Sequence, residues 1–292
     1  MNAPVIARTI ADLRAHVAAW RAAGERVALV PTMGALHAGH IALAQHARAD
    51  AKAQRVIVSI FVNPTQFAPH EDFSKYPRTF EADVEKLTAA GVDLVYAPTP
   101  EQMYPQGFAT TISLAGPALA DLEDRFRPTH FAGVATVVAK LFTQAAPDVA
   151  IFGQKDYQQL AVIARMTRDL DLPVEVVGME TMRETDGLAL SSRNVYLSAE
   201  HRALAPLLHA TMQACAKRIA AGEDFDAVLD EGRSAIANAG FALDYLELRD
   251  ADNLGAADSA QKLRLLLAAR IGATRLIDNI DVPINVPLAR RA

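Results

Sequence analysis

The segment Pro31-Thr32-Met33-Gly34-Ala35-Leu36-His37-Ala38-Gly39-His40 ends in two histidines three residues apart. It follows the apolar run Val27–Val30 and precedes a stretch with helical periodicity, so the pair sits where a strand gives way to a helix. The first turn of a helix has backbone N–H groups without intrahelical partners and a positive dipole end, and both attract phosphate. Gly39 lets backbone come close to a ligand. Two imidazoles there can donate hydrogen bonds to phosphate oxygens and to the charge that develops on them. The chemistry implied is attack at a phosphorus of a nucleotide. A His-x-x-His pair also has metal-ligand spacing. Zinc needs further ligands, however, and no neighbouring cysteine pair or His-x-x-x-His supplies them. No G-x-x-x-x-G-K-[ST] or G-x-G-x-x-G occurs, which removes the P-loop and the dinucleotide fingerprint.

Three further clusters carry groups of the right type. Asn63-Pro64-Thr65-Gln66 follows Ile60-Phe61-Val62, and Gly153-Gln154-Lys155-Asp156 follows Val149–Phe152. With Pro31–Gly34, both lie at carboxyl ends of predicted parallel strands, the edge where open α/β sheets bind ligands. The Gln66 amide can hold a carboxylate without an ion pair that quenches its nucleophilicity; the competing view is a plain Asn-Pro turn. Lys155 offers a point charge for phosphate, and Asp156 suits a helix start. Gln159 is expected on their helical face, at i+4 and i+3. Ser191-Ser192-Arg193-Asn194 combines hydroxyls with a guanidinium, a phosphate-gripping set, or is a Ser-rich linker. Val134, Val137 and Val138 form one helical stripe, which is core packing or an apolar wall for a branched aliphatic substrate.

The elements that must position these groups alternate. Strands are predicted over Val27–Pro31, Arg55–Val62, Val92–Ala97, Asp148–Phe152 and Val174–Gly178, and helices over Ile41–Ala53, Phe80–Ala90, Ala132–Ala146 and Tyr157–Leu170. Strand–helix–strand order implies a parallel sheet covered on both faces. Pro98–Pro128 breaks the pattern and reads as an insertion or flap. Beyond about Met182 the order changes: helices over Ala199–Ala221 and Phe225–Ala239, then strands over Ala242–Arg249, Leu263–Ala269 and Thr274–Ile280. The fold class expected is therefore α/β, a doubly wound parallel sheet over 1–182, with a smaller α+β domain over 183–292.

Bulk properties set the outer limits. A chain of 292 residues, 51% hydrophobic, has material for one large or two ordinary domains. A net charge of −5 argues against a general nucleic-acid binder. Cys215 is the single cysteine, so no internal disulfide or all-cysteine metal site forms. Arg8, Asp12, Arg14 and His16 interrupt the N-terminal segment, which has no signal-peptide pattern, and no apolar run is long enough to span a bilayer. A soluble cytoplasmic protein with no membrane partner is expected.

The stretches PTMGALHAGH (31–40), FVNPTQF (61–67), KYPRT (75–79), RPTHFAGV (127–134), GQKDYQQ (153–159) and SSRNVYLS (191–198) resemble, in order and spacing, the pantoate–β-alanine ligase (pantothenate synthetase) family. His37–His40 is similar to the HIGH motif of the wider nucleotidyltransferase superfamily, and Ser191–Arg193 sits where that superfamily has its mobile KMSKS-like loop. The resemblance implies a Rossmann-like fold, a homodimer, and a two-step reaction of (R)-pantoate, ATP and β-alanine through pantoyl adenylate. It implies ATP contacts from Met33, Gly34, His37, Gly39, His40, Gly153, Lys155, Asp156, Met182, Leu190, Ser191, Ser192 and Arg193. Of these, His37, His40, Lys155 and Arg193 would be catalytic. Gln66, Gln159, Phe61, Val134, Val137 and Val138 would hold pantoate, and Gln66, Tyr76 and Arg127 β-alanine. Two departures stand out. Ala38 occupies a position where an acidic residue is common. Near the implied magnesium position the acidic cluster is thin: Asp83 remains, with Ala82 and Lys86 flanking it, so Mg2+ is expected as the ATP counterion without assigned protein ligands. The rivals are another HIGH-motif nucleotidyltransferase and a catalytically silent nucleotide-binding regulator.

Overall fold

A computed structural model describes residues 3–67, 73–257 and 260–283. The chain divides into two compact units: Met1–Gly153 with Val162–Glu180, and Gln154–Ala161 with Thr181–Ala292. The described strands of the first unit are β1 (Val5–Ala7), β2 (Val27–Thr32), β3 (Arg55–Ile60), β4 (Leu94–Tyr96), β5 (Val149–Gly153) and β6 (Glu175–Met179). They pair only in parallel, in the order β1-β4-β3-β2-β5-β6. Helices on both faces explain the continuous apolar runs: Val27, Ala28, Leu29 and Val30 are all fully buried. From the central β2 the chain winds outward through β3 and β4, then returns to β5 on the other side of β2. That reversal makes the carboxyl ends of β2 and β5 the switch point of the sheet.

The helices of this unit are α1 (Ile10–Ala22), α2 (Ala38–Ala49), α3 (Phe80–Ala89), α4 (Pro100–Met103), α5 (Glu123–Phe126), α6 (His130–Ala145) and most of α7 (Tyr157–Asp169). Helix α2 begins three residues earlier than the apolar periodicity predicts, because its cap is His37 itself. Strand β1 is absent from the sequence reading: three residues between Pro4 and Arg8 carry no period, and only pairing with β4 defines it. The Pro98–Pro128 stretch is an insertion anchored by Met103 and Leu122, both at 0% exposure, rather than a loose flap.

The second unit holds α8 (Ala199–Leu204), α9 (Pro206–Ala220) and α10 (Phe225–Asn238) with the antiparallel sheet β7 (Ala242–Asp250), β8 (Leu263–Ile271) and β9 (Thr274–Val282). The single helix expected over Ala199–Ala221 is interrupted, since Pro206 has no N–H to donate and opens α9 instead. Alternate residues of β8, Leu263, Leu265, Leu267 and Ala269, enter a core with Met212, Cys215 and Ile219 of α9. Leu276 and Val282 of β9 join the same face. One domain is expected over 1–182, and within that range Gln154–Ala161 groups with the C-terminal unit. The reason is polar: Asn279 and Arg264 hold Gln154 and Lys155.

Candidate active site

His37 and His40 cap α2 reciprocally. The His37 Nδ1 accepts from the Gly39 N–H at 3.1 Å, and the His37 N–H donates to His40 Nδ1 at 3.3 Å. The two rings lie 4.1 Å apart, tilted by 39°. Each Nδ1 is thus an acceptor, which places the hydrogen of each neutral imidazole on Nε2. A helix N-terminus at the switch point of the sheet carries two imidazoles whose Nε2–H groups are donors. No acidic residue lies in the first turn of α2 to compete for an anion.

The loop leading into this cap is held from below. Asp83, at 0% exposure on α3, accepts from the backbone N–H of Ala35 at 2.9 Å and of Leu36 at 2.8 Å, and from the Thr79 hydroxyl at 3.1 Å. Lys86 Nζ donates to the Leu36 carbonyl at 2.7 Å. Gly34 turns the chain at φ 83°, and a Cβ there would crowd Ile60 and Asp83. The Asp83 oxygens are engaged by backbone and hydroxyl. Among the described residues no group of three His, Cys, Asp or Glu could hold a metal ion.

Gln66 sits in a 3₁₀ turn, Pro64–Gln66, capped by Asn63. Its Oε1 accepts from Asn63 Nδ2 at 3.1 Å, and its Nε2 faces Met33 Sδ at 3.2 Å. Asn63 also donates to the Gly133 carbonyl and accepts from the Tyr104 hydroxyl at 2.8 Å. Burial pushes that phenol's pKa up, so it stays a donor. The Gln66 carbonyl accepts from His130 Nδ1 at 3.0 Å and Arg127 at 3.2 Å. Tyr76 packs edge-on against Phe67, the residue after Gln66. Sequence-chosen Met33, Gln66 and Arg127 are thus brought together. Asn63, Tyr104 and His130, which hydrogen-bond around the Gln66 turn, do not stand out in the sequence: Asn63 reads as a turn former, and the others act across 41 and 64 residues of chain. Val134, Val137 and Val138 are buried on α6, as core packing requires, and α6 touches the Gln66 turn. A cavity of about 360 Å³ in this unit is lined by Met33, Gly34 and Phe61; His37, His40 and Gln66 are not part of its wall.

In the second unit Lys155, Ser191, Arg193 and Asn194 line one pocket with Arg275 and Asp278. Lys155 and Asp156 lie in a 3₁₀ turn, Gln154–Asp156, that precedes α7, so they are not on the α-helical face with Gln159 that the sequence predicts. The Gln154 and Lys155 carbonyls face Asn279. Ser191 caps the next turn, its hydroxyl accepting from the Arg193 N–H at 3.2 Å, which leaves its O–H to donate. Ser192 opens that turn. Met182 and Leu190 pair through backbone at 2.9 Å across a hairpin base. Gly153 ends β5, and Gly39 lies in the first turn of α2.

The sequence profile of the Pantoate-beta-alanine ligase family matches residues 5–281. The chain belongs to this family. A curated pantothenate synthetase of Nitrobacter hamburgensis is 58% identical over 283 residues, covering 96% of this chain and 99% of that protein. One of Bradyrhizobium sp. is 58% identical over 281 residues, with the same coverage. The crystal structure of pantothenate synthetase from Thermus thermophilus superposes with a TM-score of 0.88 at 47% identity, covering 95% of this chain and 99% of that one. That of pantoate-beta-alanine ligase from Francisella tularensis, complexed with beta-gamma ATP and beta-alanine, gives 0.78 at 33% identity, covering 96% and 98%. Both the six-stranded parallel sheet and the small antiparallel sheet are consistent with these relatives.

Proposed function

We propose that this protein condenses (R)-pantoate with β-alanine at the expense of ATP, giving pantothenate, AMP and pyrophosphate. The observation that carries it is the reciprocal histidine cap on α2, at the carboxyl edge of β2, in a chain of this family. ATP enters as its magnesium complex, the metal being part of the substrate. In the first step a pantoate carboxylate oxygen attacks the α-phosphorus, and the bond from that phosphorus to the bridging oxygen breaks, releasing pyrophosphate. His37 and His40 donate Nε2–H bonds to phosphate oxygens as charge builds there. Gln66 Nε2 supplies a neutral donor to pantoate, and Arg127 and Tyr76 serve β-alanine. Phe61, Val134, Val137 and Val138 take the gem-dimethyl group, and Gln159 takes a pantoate oxygen. Met33, Gly34, Gly39, Gly153, Asp156, Met182 and Leu190 bound the nucleotide. Lys155, Arg193, Ser191 and Ser192 neutralise and hold the triphosphate. In the second step the β-alanine amine attacks the acyl carbon, the C–O bond to AMP breaks, and the amine loses a proton.

The test is direct. Purified protein with ATP, Mg2+, pantoate and β-alanine should release AMP and pyrophosphate in equal amounts. Absence of AMP refutes the ligase. Pyrophosphate without AMP would mean that the adenylate forms and is not transferred, the mark of a nucleotidyltransferase that stops at the first step. We also propose a cytoplasmic homodimer on family resemblance; the mass of the purified protein by light scattering tests the dimer.

A further inference from the structure

Two successive residues of β9, Asp278 and Asn279, are 7% and 3% exposed in a strand whose neighbours alternate between faces. Asp278 is on the helix-facing side. It accepts from Arg183 twice, at 2.6 and 2.8 Å, and lies 3.5 Å from His209 of α9. Arg183 in turn donates to the Gly187 carbonyl at 3.1 Å, closing the hairpin that leads into Ser191–Arg193. Asn279 points the other way. Its Nδ2 donates to the Gln154 carbonyl and to the Lys155 carbonyl, both at 2.8 Å, while its Oδ1 accepts from Arg264 Nε at 2.8 Å. The amide orientation is unambiguous, because Arg264 can only donate and a carbonyl can only accept. Arg264 is itself 4% exposed, donates to Gln154 Oε1 at 3.0 Å, pairs with Asp281, and lies 4.1 Å above the Tyr157 ring.

We propose that Asp278-Asn279 is a positioning pair for adenylate formation. Asn279 sets the backbone that carries Lys155, and Asp278 sets the hairpin before Ser191–Arg193. One strand thereby holds the lysine and the arginine at a constant spacing along a single pocket wall. With both carbonyls held by the Asn279 amide, the Lys155 turn keeps its 3₁₀ form instead of continuing α7 backward. The inference rests on Lys155 and Arg193 being triphosphate-binding groups, and it adds what places them.

The experiment is a double-mutant cycle in the full-length protein. Asn279→Ala and Asn279→Asp are each measured alone and combined with Lys155→Ala. One assay is pantoate-dependent ATP–pyrophosphate exchange; the other is single-turnover transfer of pre-formed pantoyl adenylate to β-alanine. Asn279→Ala should cut exchange by about 10-fold to 100-fold, as a misplaced group does, and leave transfer within about 3-fold. Asn279→Asp, which turns an anionic oxygen toward two carbonyls, should lose more. In the Lys155→Ala background Asn279→Ala should cost nothing further, because it acts through the lysine. Exchange unchanged by Asn279→Ala, or a loss that multiplies fully with that of Lys155→Ala, overturns the positioning role while the reading of Lys155 stands. A fully active Lys155→Ala overturns both. If Asn279→Ala does not fold, judged by circular dichroism, Arg264→Lys takes its place in the same cycle. It keeps the charge and loses the fork that orients the Asn279 amide.

Discussion

Gly133→Ala puts the proposed pantoate site to a geometric test. Helix α6 crosses the Pro64–Gln66 turn so closely that a Cβ on Gly133 would lie 2.4 Å from the Thr65 carbonyl oxygen and 2.8 Å from the Gln66 nitrogen. Ordinary contact begins at 3.4 Å, so helix and turn must part by about 1 Å. The obstacles are backbone atoms and cannot rotate away. Overpacking of this kind costs about 1–3 kcal/mol, which for a unit of this size lowers Tm by about 2–10 °C. The larger effect should be on chemistry. The Gln66 amide, oriented by Asn63, moves with the turn, and Asn63 loses its 3.2 Å bond to the Gly133 carbonyl or drags on it. A displacement of about 1 Å costs about 100-fold in rate, equivalent to about 2.7 kcal/mol. The assay is pantoate-dependent ATP–pyrophosphate exchange at a temperature well below the lowered Tm. A kcat/KM for pantoate within twofold of the parent would refute the placement of pantoate at the α6–Gln66 junction.

Three further outcomes follow from the same structure. His40→Ala should slow adenylate formation by on the order of 100-fold or more, the loss of one charge-stabilising donor; an unchanged exchange rate removes His40 from the mechanism. Asp83→Ala leaves the Ala35 and Leu36 N–H groups without their acceptor, at about 1–3 kcal/mol each, so thermal unfolding should drop sharply while the Mg2+ concentration for half-maximal rate stays put; a shift in that concentration would make Asp83 a metal ligand after all. Burial alone would raise the Asp278 pKa, but His209 and Arg183 outweigh it and hold the carboxyl below the usual aspartate range. The stability this confers is complete above the unfolded aspartate value of about 3.9 and disappears as pH falls through the lower folded value. Asp278→Asn should flatten the acid limb of the stability curve below about pH 4, and an unaltered limb in denaturant titrations would contradict the assignment.

Elements with a strong local period were legible in the chain. Val27–Val30, Val56–Val58 and Val149–Ile151 announce buried parallel strands because nothing polar interrupts them, and a strand covered on both faces needs just that. The histidine pair was legible as lying at a strand-to-helix junction for the same local reason. Ligands for Gln66, Lys155 and Arg193 are what the family resemblance implies. Short or polar elements were not legible. Strand β1 exists only through β4, and the break at Pro206 was overridden by the helical period on either side of it.

The sequence alone therefore determined the buried parallel strands and the strand-to-helix junction at His37–His40, which depend on residues within a few positions of one another, and it marked polar groups such as Gln66 and Lys155 as candidates for a ligand site. Tertiary structure alone decided how those groups are aimed. The tautomers of His37 and His40 depend on which backbone N–H each Nδ1 accepts. The amide of Gln66 is turned by Asn63, which Tyr104 orients from 41 residues away. The Lys155 backbone is held by Asn279 from 124 residues away. A polar residue in a strand has no periodic signature that distinguishes a solvated side chain from a buried clasp; only the partner it meets across the fold makes it one.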